Sequence, residues 1–159
     1  MRRIFALLLI GMTAVAVSAQ SAAPQPADLS SVIDFSISTA DLVELVRAER
    51  YEQIPQLNLI LQGSVASTML LDPNEESYQA IVELVSSEWN DLESISVYRV
   101  YVLLAGPEFA GRVVERMPRD PGDEIIQTNS ELLVIGQFIG VADAPDGSVL
   151  PVVQAVALR

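Results

Sequence analysis

Apolar and polar residues alternate with a period of two over most of the chain after position 56. Alternation of this kind is typical of β-strands that bury one face. Turn-forming residues separate the alternating segments, and the clearest group, Pro145-Asp146-Gly147, predicts a tight hairpin between the last two of them. The pattern predicts five strands, at about 57–71, 77–86, 95–105, 125–141 and 149–158.

Two segments have helical features. Apolar residues recur at helical spacing between Leu42 and Val46, after a capping hydroxyl at Ser38. We therefore predict a helix over 38–55 that packs on the strands. A second, short helix is predicted over 108–117, between the third and fourth strands.

The segment 77–89 admits two interpretations. Asp72 before Pro73, with acidic residues following, is typical of the start of a helix. From Tyr78 to Val85, however, the side chains alternate as they do in a strand. We favour the strand.

The order strand–strand–strand–helix–strand–strand is similar to that of the OB fold, a five-stranded Greek-key barrel. Gly63 interrupts the long first strand, and Gly136 and Gly140 interrupt the fourth, as in strands that bend around a small barrel. The resemblance covers residues 57–159. It implies a mostly β protein, with a five-stranded OB-like barrel domain at 56–159, an N-terminal helix and a short helix between strands three and four. A bent sandwich and a small α+β domain are the alternatives.

Residues 1–19 have the features of a signal peptide. Two arginines precede an apolar run, and small residues end it at Ala19. We therefore expect export to the periplasm or the extracellular space, with no stable membrane anchor after cleavage; a retained N-terminal anchor is the alternative. Residues 20–37, which contain prolines, alanines and serines at their start, are predicted to be a flexible leader.

Composition removes several classes of function. The chain has 21 acidic and 9 basic residues, a net charge of −12, and every basic residue is arginine. Because such a surface repels phosphate groups, composition disfavours nucleic acid as a partner. The chain has no Cys and no His, which excludes disulfides, the usual zinc sites and nucleophiles activated by histidine. We expect no metal and no cofactor.

Trp89, Tyr98, Arg99 and Tyr101 are the candidate ligand-binding residues. They lie at the end of the second predicted strand and on the third. The OB resemblance implies a ligand across these strands, where aromatic and cationic side chains bind single strands. Alternation places Tyr98 on the opposite face from Arg99 and Tyr101. Packing in the core or at the rim is the alternative role of the tyrosines.

Arg112, Arg116 and Arg119 are the candidate partner-binding residues. If their segment is helical, their spacing places them on one face. Such a cluster could contact an acidic partner, and the alternative is pairing with nearby acidic residues.

Together these observations favour a non-enzymatic, exported binding or interaction domain whose partner is a small ligand or an envelope protein. One alternative is single-stranded nucleic-acid or oligosaccharide binding by the OB-like face. The other is a glycan-active enzyme, which needs two carboxylates held across a cleft. The acidic groups available for it lie in predicted turns: Glu75-Glu76, Glu88 with Asp91 and Glu93, Asp120 with Asp123-Glu124, and Asp143 with Asp146.

Overall fold

The computed structural model describes residues 31–90 and 94–159. The predicted signal peptide and the first part of the predicted leader, up to residue 30, lie outside the described residues. Within them the chain forms six strands, one α-helix and two 3-10 turns. The elements are β1 (Ile33–Asp34), α1 (Thr39–Arg47), a 3-10 turn (Tyr51–Gln53), β2 (Asn58–Asp72), β3 (Gln79–Trp89), β4 (Ile95–Ala105), a 3-10 turn (Pro107–Phe109), β5 (Glu131–Asp143) and β6 (Val149–Leu158).

Strands β2 to β6 close into a barrel. β2 pairs with β3, β3 with β4 and β5 with β6 in antiparallel fashion, whereas β4 and β6 are parallel. The long β2 closes the ring because residues 59–64 pair with β5 and residues 64–72 pair with β3. This strand order confirms the predicted mostly β, OB-like Greek-key barrel. It also confirms that the segment from residue 79 to 89 is a strand.

Several elements depart from their predicted boundaries, β1 and the short helix between β4 and β5 among them. β1 lies within the predicted leader, and Ile33 and Asp34 pair in parallel with Asn58 and Leu59. The short helix between β4 and β5 is a 3-10 turn, so it is shorter than the predicted 108–117. Gly111 has φ of +82°, which is incompatible with continuing a right-handed helix.

The barrel interior is filled by aliphatic side chains from alternate positions of every strand, as the period of two predicts. None of the following side chains has measurable exposure: Leu59, Leu61, Val65, Ala80, Val82, Leu84, Val100, Val102, Leu104, Val134 and Val153. Odd-numbered residues of β3 and β4 therefore point outward. This alternation fixes which side chains can meet a ligand.

Helix α1 covers one end of the barrel, where it packs against β4 and β6. Ser38 and Asp41 form a capping box at its start. The helix ends at Arg47, well before the predicted residue 55. Glu49 adopts a left-handed φ of 55°, and the Arg50 N–H donates to the Leu45 carbonyl, a Schellman-type end.

The long connection between β4 and β5 closes the other end of the barrel. Phe109, Val113 and Ile126 bury their side chains there. The buried Tyr78 at the start of β3 hydrogen-bonds the backbone of Val113 and fixes the connection to the barrel. With α1 opposite, both ends of the core are covered.

No α-helix within residues 31–90 and 94–159 combines the length and hydropathy needed to span a membrane.

Candidate functional site

The β3–β4 hairpin projects beyond the rest of the barrel. Pairing between β2 and β3 ends at Ser64 and Val85, whereas β3 and β4 stay paired as far as Trp89 and Ile95. The outward-pointing side chains of this hairpin form one surface, which we call the outward face. Its members are Glu83, Val85, Ser87, Trp89, Ile95, Val97, Arg99 and Tyr101.

The tip of the outward face is apolar and exposed. The Trp89 side chain is 72% exposed, and its cross-strand neighbour Ile95 is 49% exposed. Val97, two residues along β4 on the same face, is also 49% exposed. Contiguous apolar groups of this kind mark surfaces that bind other molecules.

Arg99 lies between two carboxylates behind this tip. Its Nε donates to Glu83 Oε1 on β3 at 2.7 Å, and its Nη1 donates to Asp146 Oδ2 in the β5–β6 turn. Glu83 Oε2 also accepts a hydrogen bond from the Ser67 hydroxyl. The hydrogen bond to Glu83, together with that to Asp146, raises the pKa of Arg99. The single cation of the outward face is therefore already paired in the described part of the chain.

Asp146 is held by its own turn as well as by Arg99. Its Oδ1 accepts the Ser148 hydroxyl at 2.6 Å and the Ser148 N–H at 3.0 Å. These two hydrogen bonds, followed by the one from Arg99, lower the pKa of Asp146 to about 2. The predicted hairpin turn at Pro145-Asp146-Gly147 thus forms, and Gly147 has the expected positive φ, 82°.

A cleft of about 490 Å³ adjoins Arg99 at the rim of the barrel. It lies between the end of α1, the middle of β4, the β5–β6 turn and the start of β6, and we call it the rim cleft. Its lining combines two cations, two acids, one aromatic ring and an aliphatic floor: Arg47, Arg99, Glu49, Asp146, Tyr51, Val46, Ser148, Val149 and Leu150.

The four candidate ligand-binding residues do not share one surface. Trp89, Arg99 and Tyr101 lie on the outward face. Tyr98 points into the barrel and is only 8% exposed, with the guanidinium of Arg47 5.8 Å from its ring centre. The alternation along β4 separates these residues, so Tyr98 packs in the core and does not line the face.

The arginines of the β4–β5 connection are not aligned by a helix. The Arg112 side chain donates to the Glu124 carbonyl at 3.2 Å and helps to close the connection. Arg116 and Arg119 are exposed in irregular chain. The shared helical face on which the partner-binding hypothesis depended is absent from this segment, because Gly111 ends the helical geometry.

No acidic side chain is buried among residues 31–90 and 94–159. Glu75 and Glu76 are exposed in a turn, and so are Asp120 and Asp123 in the β4–β5 connection. These residues do not form the facing pair across a pocket that glycoside hydrolysis requires. In the same part of the chain, no three Asp or Glu residues are placed to hold a metal ion.

The sequence did not indicate two features of this region. The first is that Asp146, which lies in a predicted turn, pairs with Arg99, 47 residues away in the chain. The second is that Ile95 and Val97, within the predicted strand 95–105, are exposed on the face that carries Trp89. Their alternation with Ser96 and Tyr98 was the available signal that they lie on the same face as Arg99.

No protein-family model matches the chain, and no curated protein matches it. Among solved structures, the chain is similar to the small single-stranded DNA-binding protein from Streptomyces coelicolor. The two share 15% identity with a TM-score of 0.41, over 67% of this chain and 94% of the other. That protein binds single-stranded DNA, so we do not carry forward the expectation, drawn from net charge, that nucleic acid is disfavoured as a partner.

Proposed function

We propose that this chain is a non-enzymatic binding domain that takes a single-stranded oligomer, a nucleic acid or an oligosaccharide, across its outward face. The observation that carries the proposal is the 72% exposure of Trp89 on the same face as Arg99 and Tyr101. Bases and sugar rings both present flat surfaces that stack on exposed aromatic rings, and stacking of bases contributes about 1–3 kcal/mol each.

The dimensions of the outward face suit an extended ligand. From Ile95 to Tyr101 the strand advances six residues, which corresponds to roughly 20 Å. Along this length the side chains change from apolar at the tip to charged at Arg99 and aromatic at Tyr101. A ligand of several units can therefore contact all three regions at once.

The charges of the face determine how such a ligand binds. Glu83 and Asp146 together outweigh the charge of Arg99, so stacking and apolar contact supply most of the affinity. Each phosphate contact that releases counterions contributes about 0.7 to the slope of log affinity against log salt for a single strand. We therefore expect log affinity to fall with log salt with a slope of magnitude about 1 or less. Because stacking does not distinguish strongly among bases, we also expect little preference among them.

Fluorescence of the single tryptophan tests the proposal directly, because Trp89 is the only Trp in the chain. Titration with a thymidine oligonucleotide and with neutral oligosaccharides should produce saturable quenching for at least one of them. The affinity for a labelled oligomer should be about fivefold or more lower in Trp89→Ala than in the native protein. Phe35→Ala is the matched control, since Phe35 is an aromatic residue with 62% exposure outside the face. Equal affinities of the two variants, or no binding of any oligomer, would overturn the proposal.

The proposed site of action is outside the cytoplasm. The supporting feature is the N-terminal pattern of two arginines, an apolar run and small residues ending at Ala19. N-terminal sequencing of the protein from periplasmic and culture fractions tests this, and a chain that starts at Met1 in the cytoplasmic fraction alone would contradict it.

A further inference from the structure

The two carboxylates that pair with Arg99 differ in exposure: Asp146 is fixed by Ser148 within its own turn, but its oxygen towards Arg99 is open to water. The Glu83 side chain is 15% exposed, lies on the neighbouring strand and also accepts from Ser67. The Asp146 side chain is 55% exposed and lies in a turn. Because water solvates both partners of an exposed ion pair, such a pair contributes little net stability. The contact between Arg99 and Asp146 can therefore be exchanged for another at small cost.

The rim cleft provides space for such an exchange. It has a volume of about 490 Å³, and Arg99 and Asp146 both line it. The ring of Tyr51, which is 41% exposed, and the apolar side chain of Leu150 offer contact for the body of a ligand. Because Arg99 also belongs to the outward face, the cleft is continuous with that face.

The charge balance of the cleft shows how an anion would enter. Its two cations, Arg47 and Arg99, are matched by its two acids, Glu49 and Asp146. Glu44 and Glu83 add further negative charge, since they pair with the same two guanidinium groups. An additional anion would face an excess of acid, so an incoming acid must replace one that is present. Asp146 is the exposed acid that contacts Arg99 directly.

We infer that the Nη1 side of Arg99 is an anion subsite, occupied by Asp146 in the free protein and by an acidic group of the ligand in the complex. The chemical class is an oxyanion, a phosphate or a carboxylate, which matches the geometry of a guanidinium group. Glu83 keeps the guanidinium in place while Asp146 Oδ2 turns away from Nη1, and Oδ1 remains the acceptor for Ser148. The inference rests on the proposed function, because it assigns one contact of the ligand bound on the outward face.

Asp146→Asn tests the exchange while it preserves the turn, because the amide oxygen can still accept from Ser148. We expect affinity for a thymidine oligonucleotide and for a uronic-acid oligosaccharide to rise about two- to fivefold, the range that an exposed ion pair allows. Affinity for a neutral oligosaccharide should stay unchanged. Asp143→Asn is the control, since it makes the same change in net charge three residues away. Equal gains in both variants, or no gain with Asp146→Asn, would overturn the inference.

A second experiment does not depend on oligomer binding. The Nε–H signal of Arg99 can be followed by NMR during titration with inorganic phosphate. We expect the signal to move at about two- to fivefold lower phosphate concentration in Asp146→Asn than in the native protein or in Asp143→Asn. An Arg99 signal that phosphate does not move excludes the subsite, even if Trp89 responds to oligomers. If the Arg99 signal responds to phosphate but the fluorescence of Trp89 responds to no oligomer, the proposed function is overturned and the anion subsite stands.

Discussion

The hydroxyl group of Tyr78 bonds both backbone groups of Val113. It donates to the Val113 carbonyl at 3.0 Å and accepts from the Val113 N–H at 2.9 Å. Tyr78 is 2% exposed and Val113 is 3% exposed. One side chain therefore satisfies two buried polar groups of the β4–β5 connection, which has little regular structure of its own.

Tyr78→Phe should lower the free energy of unfolding by about 1–3 kcal/mol. The substitution leaves the ring in place, so the cost arises from the unpaired N–H and carbonyl of Val113. Urea denaturation followed by circular dichroism measures the change. Tyr51→Phe is the control, because the Tyr51 ring lies at the surface, and it should change stability by less than about 0.5 kcal/mol. Equal effects of the two variants would contradict this role of Tyr78.

The same residue should make the protein sensitive to alkali. Burial raises the pKa of Tyr78 above the ordinary value of 10.0, whereas the hydrogen bond from the Val113 N–H opposes that change. In the unfolded chain the tyrosine loses its proton first, so its contribution to stability is complete below pH 10 and declines as the pH rises above 10. Melting temperatures measured between pH 9 and about 11 should fall more steeply for the native protein than for Tyr78→Phe. Parallel curves would show that Tyr78 does not titrate in this way.

Local patterns were sufficient to predict most of the fold. The period of two fixed the strands because each strand has one face in the barrel core. The same alternation separates Tyr98 from Tyr101. Ser38 and the Asp146-Gly147 turn were also predictable, because capping and turn formation depend on residues close in sequence.

Features that have no signal in the local sequence were not predictable. The end of α1 rests on a left-handed Glu49, a conformation that the residue type does not favour. β1 has only two paired residues, and its position depends on the start of β2. The contact between Arg99 and Asp146 arises only when the β5–β6 turn is brought beside β4 by barrel closure.

The pKa of Asp146 should depend more on Ser148 than on Arg99. The hydrogen bonds from Ser148 are the largest causes of its low value of about 2, and Arg99 follows. Ser148→Ala removes the hydroxyl hydrogen bond, the largest single cause, and should therefore raise the pKa of Asp146, as measured by NMR titration of the carboxyl carbon. An unchanged pKa of Asp146 in Ser148→Ala would contradict the role of this hydroxyl.

Acid should remove the stabilisation that Asp146 provides. Its folded-state pKa of about 2 lies below the ordinary value of 3.8. The contribution is therefore fully present well above pH 3.8 and is lost as the pH falls from about 3.8 towards 2. Urea unfolding at a series of pH values should show a smaller loss in this range for Asp146→Asn than for the native protein. If both proteins lose stability equally there, other carboxylates account for the acid sensitivity.

Closure of the barrel should depend on Gly63 and Gly136, because neighbouring strands approach them too closely for a side chain. A Cβ at Gly63 would lie 2.5 Å from the Val85 carbonyl oxygen, and one at Gly136 would lie 2.5 Å from that of Gln154. Backbone atoms cannot move aside as a flexible side chain can, so each Gly→Ala variant should lose about 1–3 kcal/mol or more of unfolding free energy.

Gly122→Ala is the matched control, since its nearest neighbour would be the Glu124 carboxylate at 3.7 Å. Urea denaturation should place the control within about 0.5 kcal/mol of the native protein. Native stability of the Gly63 and Gly136 variants would show that the strands can separate there without loss of the fold.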